Sequence, residues 1–158
     1  MAITSITDFP EKTFEIDKLA DDLKLTFAAG FYENEATTTP ATSIVYTGET
    51  YYVKVAWKLE GKLAAHFCGK WLVKVDLESI GIAPEFSFPL ESIDMEPCKT
   101  GEYSHVFKVT PDTVKPAQGG TVYLVAATLS SEDPCGMPGH IWAYATGVSV
   151  MFVQGKPD

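Results

Sequence analysis

Apolar and polar residues alternate one by one along much of this chain, and that period of two constrains the fold more than any other feature of the sequence. Successive side chains of a β-strand point to opposite faces of its sheet, so the alternation predicts strands with one buried and one wet face. The pattern is longest in 50–60, which reads TYYVKVAWKLE. Its odd-numbered positions carry the residues that we expect in the core: Tyr51, Val53, Val55, Trp57 and Leu59.

Other segments repeat the pattern or vary it. Alternation also predicts strands over 22–28, 70–78, 102–110, 141–144 and 147–154. The segment 122–129 (VYLVAATL) is apolar on both faces, which is typical of a central strand. Two glycine-containing stretches, 47–49 and 60–62, predict hairpin turns. A helix competes with a strand only in 16–24, where Leu19 and Leu23 have helical spacing.

About eight or nine short strands separated by turns predict an all-β, mainly antiparallel sandwich of immunoglobulin- or fibronectin-like architecture. A closed β-barrel and a jelly roll are the alternatives. Trp57 and Trp71 have the parity needed to meet between the two sheets. A chain of 158 residues suits one domain, so we expect a single β-sandwich domain over 1–158.

The charge of the chain limits the partners that it can have. The net charge is −9 at pH 7, and all twelve cationic side chains, counted without His, are lysines. Phosphate recognition relies on clustered Lys and Arg, and Arg supplies the bidentate fork. We therefore expect no nucleic acid partner. No apolar run approaches the length of a membrane-spanning helix, so we expect no membrane partner either.

The beginning of the sequence bears on localisation. MAITSITDFPEKTFEI has neither the basic nor the apolar region of a secretory signal. This predicts a cytoplasmic protein, with a mature secreted form as the alternative.

The segment 130–146 (SSEDPCGMPGHIWAYAT) is the candidate ligand-binding region. It begins as a polar loop with Glu132 and Asp133 and enters a strand on which His140, Trp142 and Tyr144 share one face. Trp and Tyr offer flat apolar area with a polar tip, which suits a sugar, a small apolar ligand or a protein partner. The alternative is that this row packs in the core while the intervening alanines face outward under another element.

Cysteine, histidine and acidic residues provide weaker hypotheses. Cys98 and Cys135 each follow a proline in a turn-like context and could form a disulfide, whereas Cys68 is expected to be a small buried residue. His66 and Cys68 would share one side of a strand, but no paired ligand spacing typical of zinc occurs. Calcium in an acidic loop such as 91–96 is an open alternative to the expectation of no metal and no cofactor.

Together these patterns predict a non-catalytic binding or interaction module that recognises a protein partner, a small molecule or a carbohydrate through the aromatic strand face and its loop. Two alternatives belong to other classes. One is a small hydrolase or cyclase with a histidine or a buried carboxylate as general acid/base. The other is a structural assembly subunit, such as a homo-oligomer joined through edge strands. No residue is assigned a catalytic role.

Overall fold

The protein is a two-layer sandwich of β-sheets in the computed structural model, which describes residues 13–15, 23–96 and 101–155. Ten strands lie in these ranges: β1 (Thr13–Glu15), β2 (Lys24–Tyr32), β3 (Ile44–Tyr46), β4 (Tyr51–Glu60), β5 (Lys70–Ile80), β6 (Phe86–Ser87), β7 (Glu91–Asp94), β8 (Glu102–Val109), β9 (Thr121–Glu132) and β10 (Pro138–Val153). The described helical structure is one short 3₁₀ turn, Ala64–His66. The expected all-β sandwich is confirmed, and neither sheet closes into a barrel.

The two sheets have different sizes. The smaller has the order β1-β2-β4-β8, and the larger has the order β3-β10-β9-β5-β6, with β7 also paired to β5. All pairings are antiparallel except that of β10 with β3. As predicted, the apolar strand β9 is central, since it lies between β10 and β5.

The core lies between the sheets and is built from the alternating positions. Each of the five residues predicted to face inward on β4 is at most 6% exposed. Trp57 of β4 and Trp71 of β5 meet across the sandwich with ring centroids 6.1 Å apart, which confirms the predicted contact. Tyr103 of β8 stacks on Trp57 at 5.7 Å. Burying these rings removes a large apolar area from water and joins the two sheets.

Three predictions about strands and turns were wrong. The segments 141–144 and 147–154 form one strand, β10, and not two. The register of β10 against β9 shifts between Thr146 and Val148. Such a bulge reverses which parity faces inward, so the alternation changes phase inside a continuous strand. The turns in 47–49 and 60–62 do not close hairpins. Each lies on a connection between strands of different sheets, which pack face to face rather than pair.

Two other expectations concern the segments around these strands. Cys68 is exposed rather than buried, because 67–69 is a loop that follows the 3₁₀ turn and not part of a strand. The helix candidate 16–24 lies outside the described residues except at its end, where Lys24 begins β2. Within the described ranges, no helix has the length and hydropathy needed to cross a membrane.

Tyr51 anchors one end of the core. Its hydroxyl donates to Oε2 of Glu49 at 2.8 Å and accepts from the backbone N–H of Tyr46 at 3.1 Å. The ring stacks on Phe31 at 5.5 Å and meets Phe152 edge-on at 6.2 Å. The pKa of Tyr51 is raised to about 12, mainly by burial and also by the adjacent Glu49 carboxylate, against a lowering by the Tyr46 N–H.

This raised pKa predicts a loss of stability in alkali. Unfolded tyrosine ionises near a pKa of about 10, so the neutral folded form contributes fully below that pH. The contribution is lost as the pH rises from there through the folded pKa of about 12. Urea unfolding at increasing pH should show this decline, and Tyr51→Phe should remove its share of the slope. Equal slopes in both proteins would contradict the prediction.

Candidate functional site

Trp142 and Tyr144 of the predicted aromatic row lie on the outer face of the larger sheet, the face turned away from the smaller sheet. Ile141, Ala143 and Ala145 are at most 4% exposed and face the core, as predicted. Trp142 between them is 67% exposed, so the alternative in which this row packs inward is wrong for Trp142. Tyr144 is half-buried. His140 lies in β10, but its side chain lies outside the described part of the chain.

Backbone register shows what surrounds Trp142. Trp142 of β10 lies opposite Ser130 of β9, Ser130 opposite Leu72 of β5, and Leu72 opposite Ser92 of β7. We call these four residues the Trp142 row. Its hydroxyls and the half-buried Leu72 form a platform around one exposed indole. Because the neighbours of Trp142 on β10 are buried in the core, the strand directs the indole to the outer face.

A second row crosses the same face at the opposite end of the strands. Ile80 lies opposite Val122, Val122 opposite Met151, and Met151 opposite Ile44. We call these four residues the Ile80 row. Ile80, Val122 and Ile44 are exposed at 64%, 37% and 51%. Sequence reasoning missed this row because its members come from four strands and only the register brings them together.

The middle of the face is more polar. Lys74 and Asp76 form an ion pair at 3.6 Å, and Tyr144 lies opposite Thr128 of β9. From Leu72 to Ile80 the strand advances eight residues, or about 26 Å at roughly 3.3 Å per residue. The outer face therefore has two apolar ends separated by a polar centre.

The loop 133–137 follows the end of β9 beside the Trp142 row, and Asp133 organises it. Its Oδ1 accepts from the backbone N–H groups of Cys135 and Met137, each at 2.9 Å. Its own N–H donates to the carbonyl of Met137 at 2.8 Å. A turn with φ +79° at Gly136 completes the loop. The Oδ1 of Asp133 is thus engaged within the loop, and the expected contact of Asp133 with a ligand stays a prediction.

The remaining predicted residues of this region are Glu132 and the cysteines. Glu132 is half-buried at the end of β9, opposite Lys70 of β5. Cys135 is exposed and free. Cys98 lies outside the described residues, and the free Cys135 does not form the disulfide proposed between them. Among the described residues, no group of three or more His, Cys, Asp or Glu is arranged to hold a metal ion.

Sequence reasoning also missed a pocket of about 380 Å³ between the sheets, at the same end as loop 133–137. Its wall includes Trp71 and Tyr103, together with Phe67 from the connection between β4 and β5. Gly101 also lines it, and there the backbone passes close to Leu59, whose N–H donates to the Gly101 carbonyl at 3.0 Å. With φ +72° and no room for a Cβ beside the Leu59 carbonyl, the position requires glycine.

Comparisons with known proteins add little to this geometry. No protein-family model matches the chain, and no curated protein matches it either. Among solved structures, it is similar to part of the β-glucosidase from Listeria innocua in complex with glucose, with 13% identity and a TM-score of 0.46. The isofagomine complex of that enzyme gives 13% identity and a TM-score of 0.45. Each alignment covers 82% of this chain and 16% of the enzyme chain.

Removing the Asp133 acceptor should loosen the loop. We expect Asp133→Ala to speed hydrogen exchange at the amides of Cys135 and Met137 and to lower the unfolding free energy by about 1 kcal/mol. Asp133→Asn keeps an oxygen acceptor and should retain most of the protection. Unchanged exchange in Asp133→Ala, measured by NMR, would show that the carboxylate does not hold the loop.

Proposed function

We propose that this protein is a non-catalytic recognition module that binds a protein partner on the outer face of its larger sheet. The supporting observation is where the large exposed apolar side chains lie. Of the seven such side chains among the described residues, four project from this face: Trp142, Ile80, Val122 and Ile44. The other three, Ile82, Leu90 and Met137, lie in connections between strands. In the described part of the smaller sheet, no large apolar side chain of the outer face is exposed. Exposed apolar groups concentrated on one face are typical of interaction surfaces.

The spacing of the two rows favours a macromolecule over a small ligand. A small molecule stacked on Trp142 does not reach the Ile80 row, about 26 Å away at roughly 3.3 Å per residue. A standard protein interface covers about 800 Å² per partner and can span both. Trp is also the side chain most enriched among residues that dominate binding energy. We therefore expect Trp142 to contribute the largest share of the binding energy.

Charge gives the partner its expected character. The chain carries a net charge of −9, and the centre of the face contributes the paired Lys74 and Asp76. Long-range attraction therefore favours a partner with a positive surface that places apolar side chains against the two rows. A second copy of this chain would be repelled at low salt, so a different protein fits better than self-association.

Site-specific photo-crosslinking tests the proposal. A p-benzoyl-phenylalanine in place of Ser130, beside Trp142, should give a discrete protein adduct in the cells that produce the protein. The same group in place of Val106, on the outer face of the smaller sheet, is the matched control and should give none. Trp142→Ser should weaken binding of the captured partner by about 2 kcal/mol, or roughly thirty-fold.

Circular dichroism and the unfolding midpoint should be unchanged in Trp142→Ser, because the indole is exposed. Adducts of equal yield at both positions, or an adduct that survives both Trp142→Ser and Ile80→Asp, would refute the proposed surface. An adduct with a glycan would assign the face to carbohydrate recognition instead.

A further inference from the structure

Two exposed cysteines lie on neighbouring connections at one end of the larger sheet. Cys68 precedes β5, and Cys135 lies in loop 133–137, which follows β9. The two strands are antiparallel neighbours, and Lys70 at the start of β5 lies opposite Glu132 at the end of β9. The chain segments that carry the two cysteines therefore leave the sheet side by side.

The two segments touch at Gly69. A Cβ added to Gly69 would collide with the carbonyl oxygen of Glu132 and would lie 3.1 Å from the Cα of Asp133. Since a carbon–carbon bond adds roughly 1.5 Å to that distance, the Cα atoms of Gly69 and Asp133 are at most about 4.6 Å apart. This is the spacing of residues that lie directly opposite each other in an antiparallel pair. Cys68 is bonded to Gly69, and Cys135 is two residues from Asp133.

The two thiols can meet without loss of core packing. Cys68 and Cys135 are both exposed and free, so neither side chain is part of the packing between the sheets. A disulfide requires Cα atoms about 4.4–6.8 Å apart. Each cysteine is within two peptide steps, of about 3.8 Å each, of the contact between Gly69 and Asp133. The turn from Asp133 to Gly136 lies outside the sheet, so it can adjust to close the remaining distance.

We propose that Cys68 and Cys135 form a reversible disulfide when the protein meets a small disulfide oxidant such as glutathione disulfide. One cysteine thiolate attacks the oxidant, forms a mixed disulfide and releases one glutathione thiolate. The second cysteine attacks the protein sulfur of that mixed disulfide and releases the other glutathione thiolate. The two glutathione thiolates take up the two protons that the protein thiols lose. Two protein thiols are thus oxidised, and one glutathione disulfide is reduced.

The disulfide ties loop 133–137 to the segment before β5. That segment includes Phe67, which lines the pocket between the sheets, and the loop lies beside the Trp142 row. Oxidation therefore restrains this end of the sandwich, and reduction releases it. Reversible disulfides of this kind are the ones expected in a reducing compartment. The crosslink does not depend on whether the outer face binds a partner.

Peptide mapping of the native protein, equilibrated at high dilution in a glutathione buffer made progressively more oxidising, tests the proposal. Lysines separate the three cysteines, so trypsin places each of them in a different peptide. Mass spectrometry should find the peptides of Cys68 and Cys135 joined to each other and free of glutathione. Dithiothreitol should separate them again, because the disulfide is reversible.

Serine variants separate this pair from other thiol chemistry. Cys98→Ser is the matched control and should form the same crosslink in the same yield, whereas Cys68→Ser should stop at the mixed disulfide of Cys135 with glutathione. The proposal is overturned if Cys68 and Cys135 stay reduced or each keep a glutathione, or if the crosslink includes Cys98 or joins two chains. It is also overturned if hydrogen exchange in loop 133–137 is no slower after the crosslink has formed.

Discussion

The contact between Trp57 and Trp71 across the sandwich is the interaction on which the rest of the structure depends. The two strands that carry these residues follow one another in sequence but belong to different sheets. A hairpin between β4 and β5 would place their apolar faces side by side in one sheet. Both faces would then be exposed to water unless another element packed on them. Packing the two faces against each other buries both. Within that contact, the rings of Trp57, Trp71 and Tyr103 pack together.

The same contact determines what is left for binding. Since Val73, Val75 and Leu77 of β5 are fully buried, their alternating neighbours must point outward. These outward positions include Leu72 and Ile80, which belong to the two apolar rows. On β10, the buried Ile141 and Ala143 hold Trp142 outside in the same way. Near the aromatic cluster the sandwich end is not filled, and the pocket lies there. The proposed binding face thus follows from which residues the core takes in.

Much of the fold could be predicted from the sequence, because alternation reports directly which residues face the core. It placed β4, β5 and β9 and the inward face of β10. It failed where chain geometry interrupts the period. The bulge between Thr146 and Val148 made one strand read as two, and the short strands β3, β6 and β7 have too few residues for a pattern. The turns in 47–49 and 60–62 contain local signals that are the same for a hairpin and for a connection between sheets.

The site was less accessible to sequence reasoning. Parity places His140, Trp142 and Tyr144 on one face of a strand but does not say whether that face is the core face, and the Ile80 row and the pocket arise from residues distant in sequence. Asp133 shows a different difficulty, since an acidic residue in a loop reads alike whether it contacts a ligand or caps its own backbone. The hydrogen bonds from Cys135 and Met137 show that Asp133 caps its own backbone, and its contact with a ligand stays a prediction.

In this arrangement Trp142 lies outside the sandwich, and Trp57 and Trp71 lie between its sheets. Hydroxyl-radical footprinting with mass spectrometry measures this directly for all three in the folded protein. We predict rapid oxidation of Trp142 and protection of Trp57 and Trp71 until the protein is unfolded by urea. Protection of Trp142, or oxidation of Trp57 and Trp71 at the rate of Trp142, would contradict both the arrangement of the core and the proposed binding face.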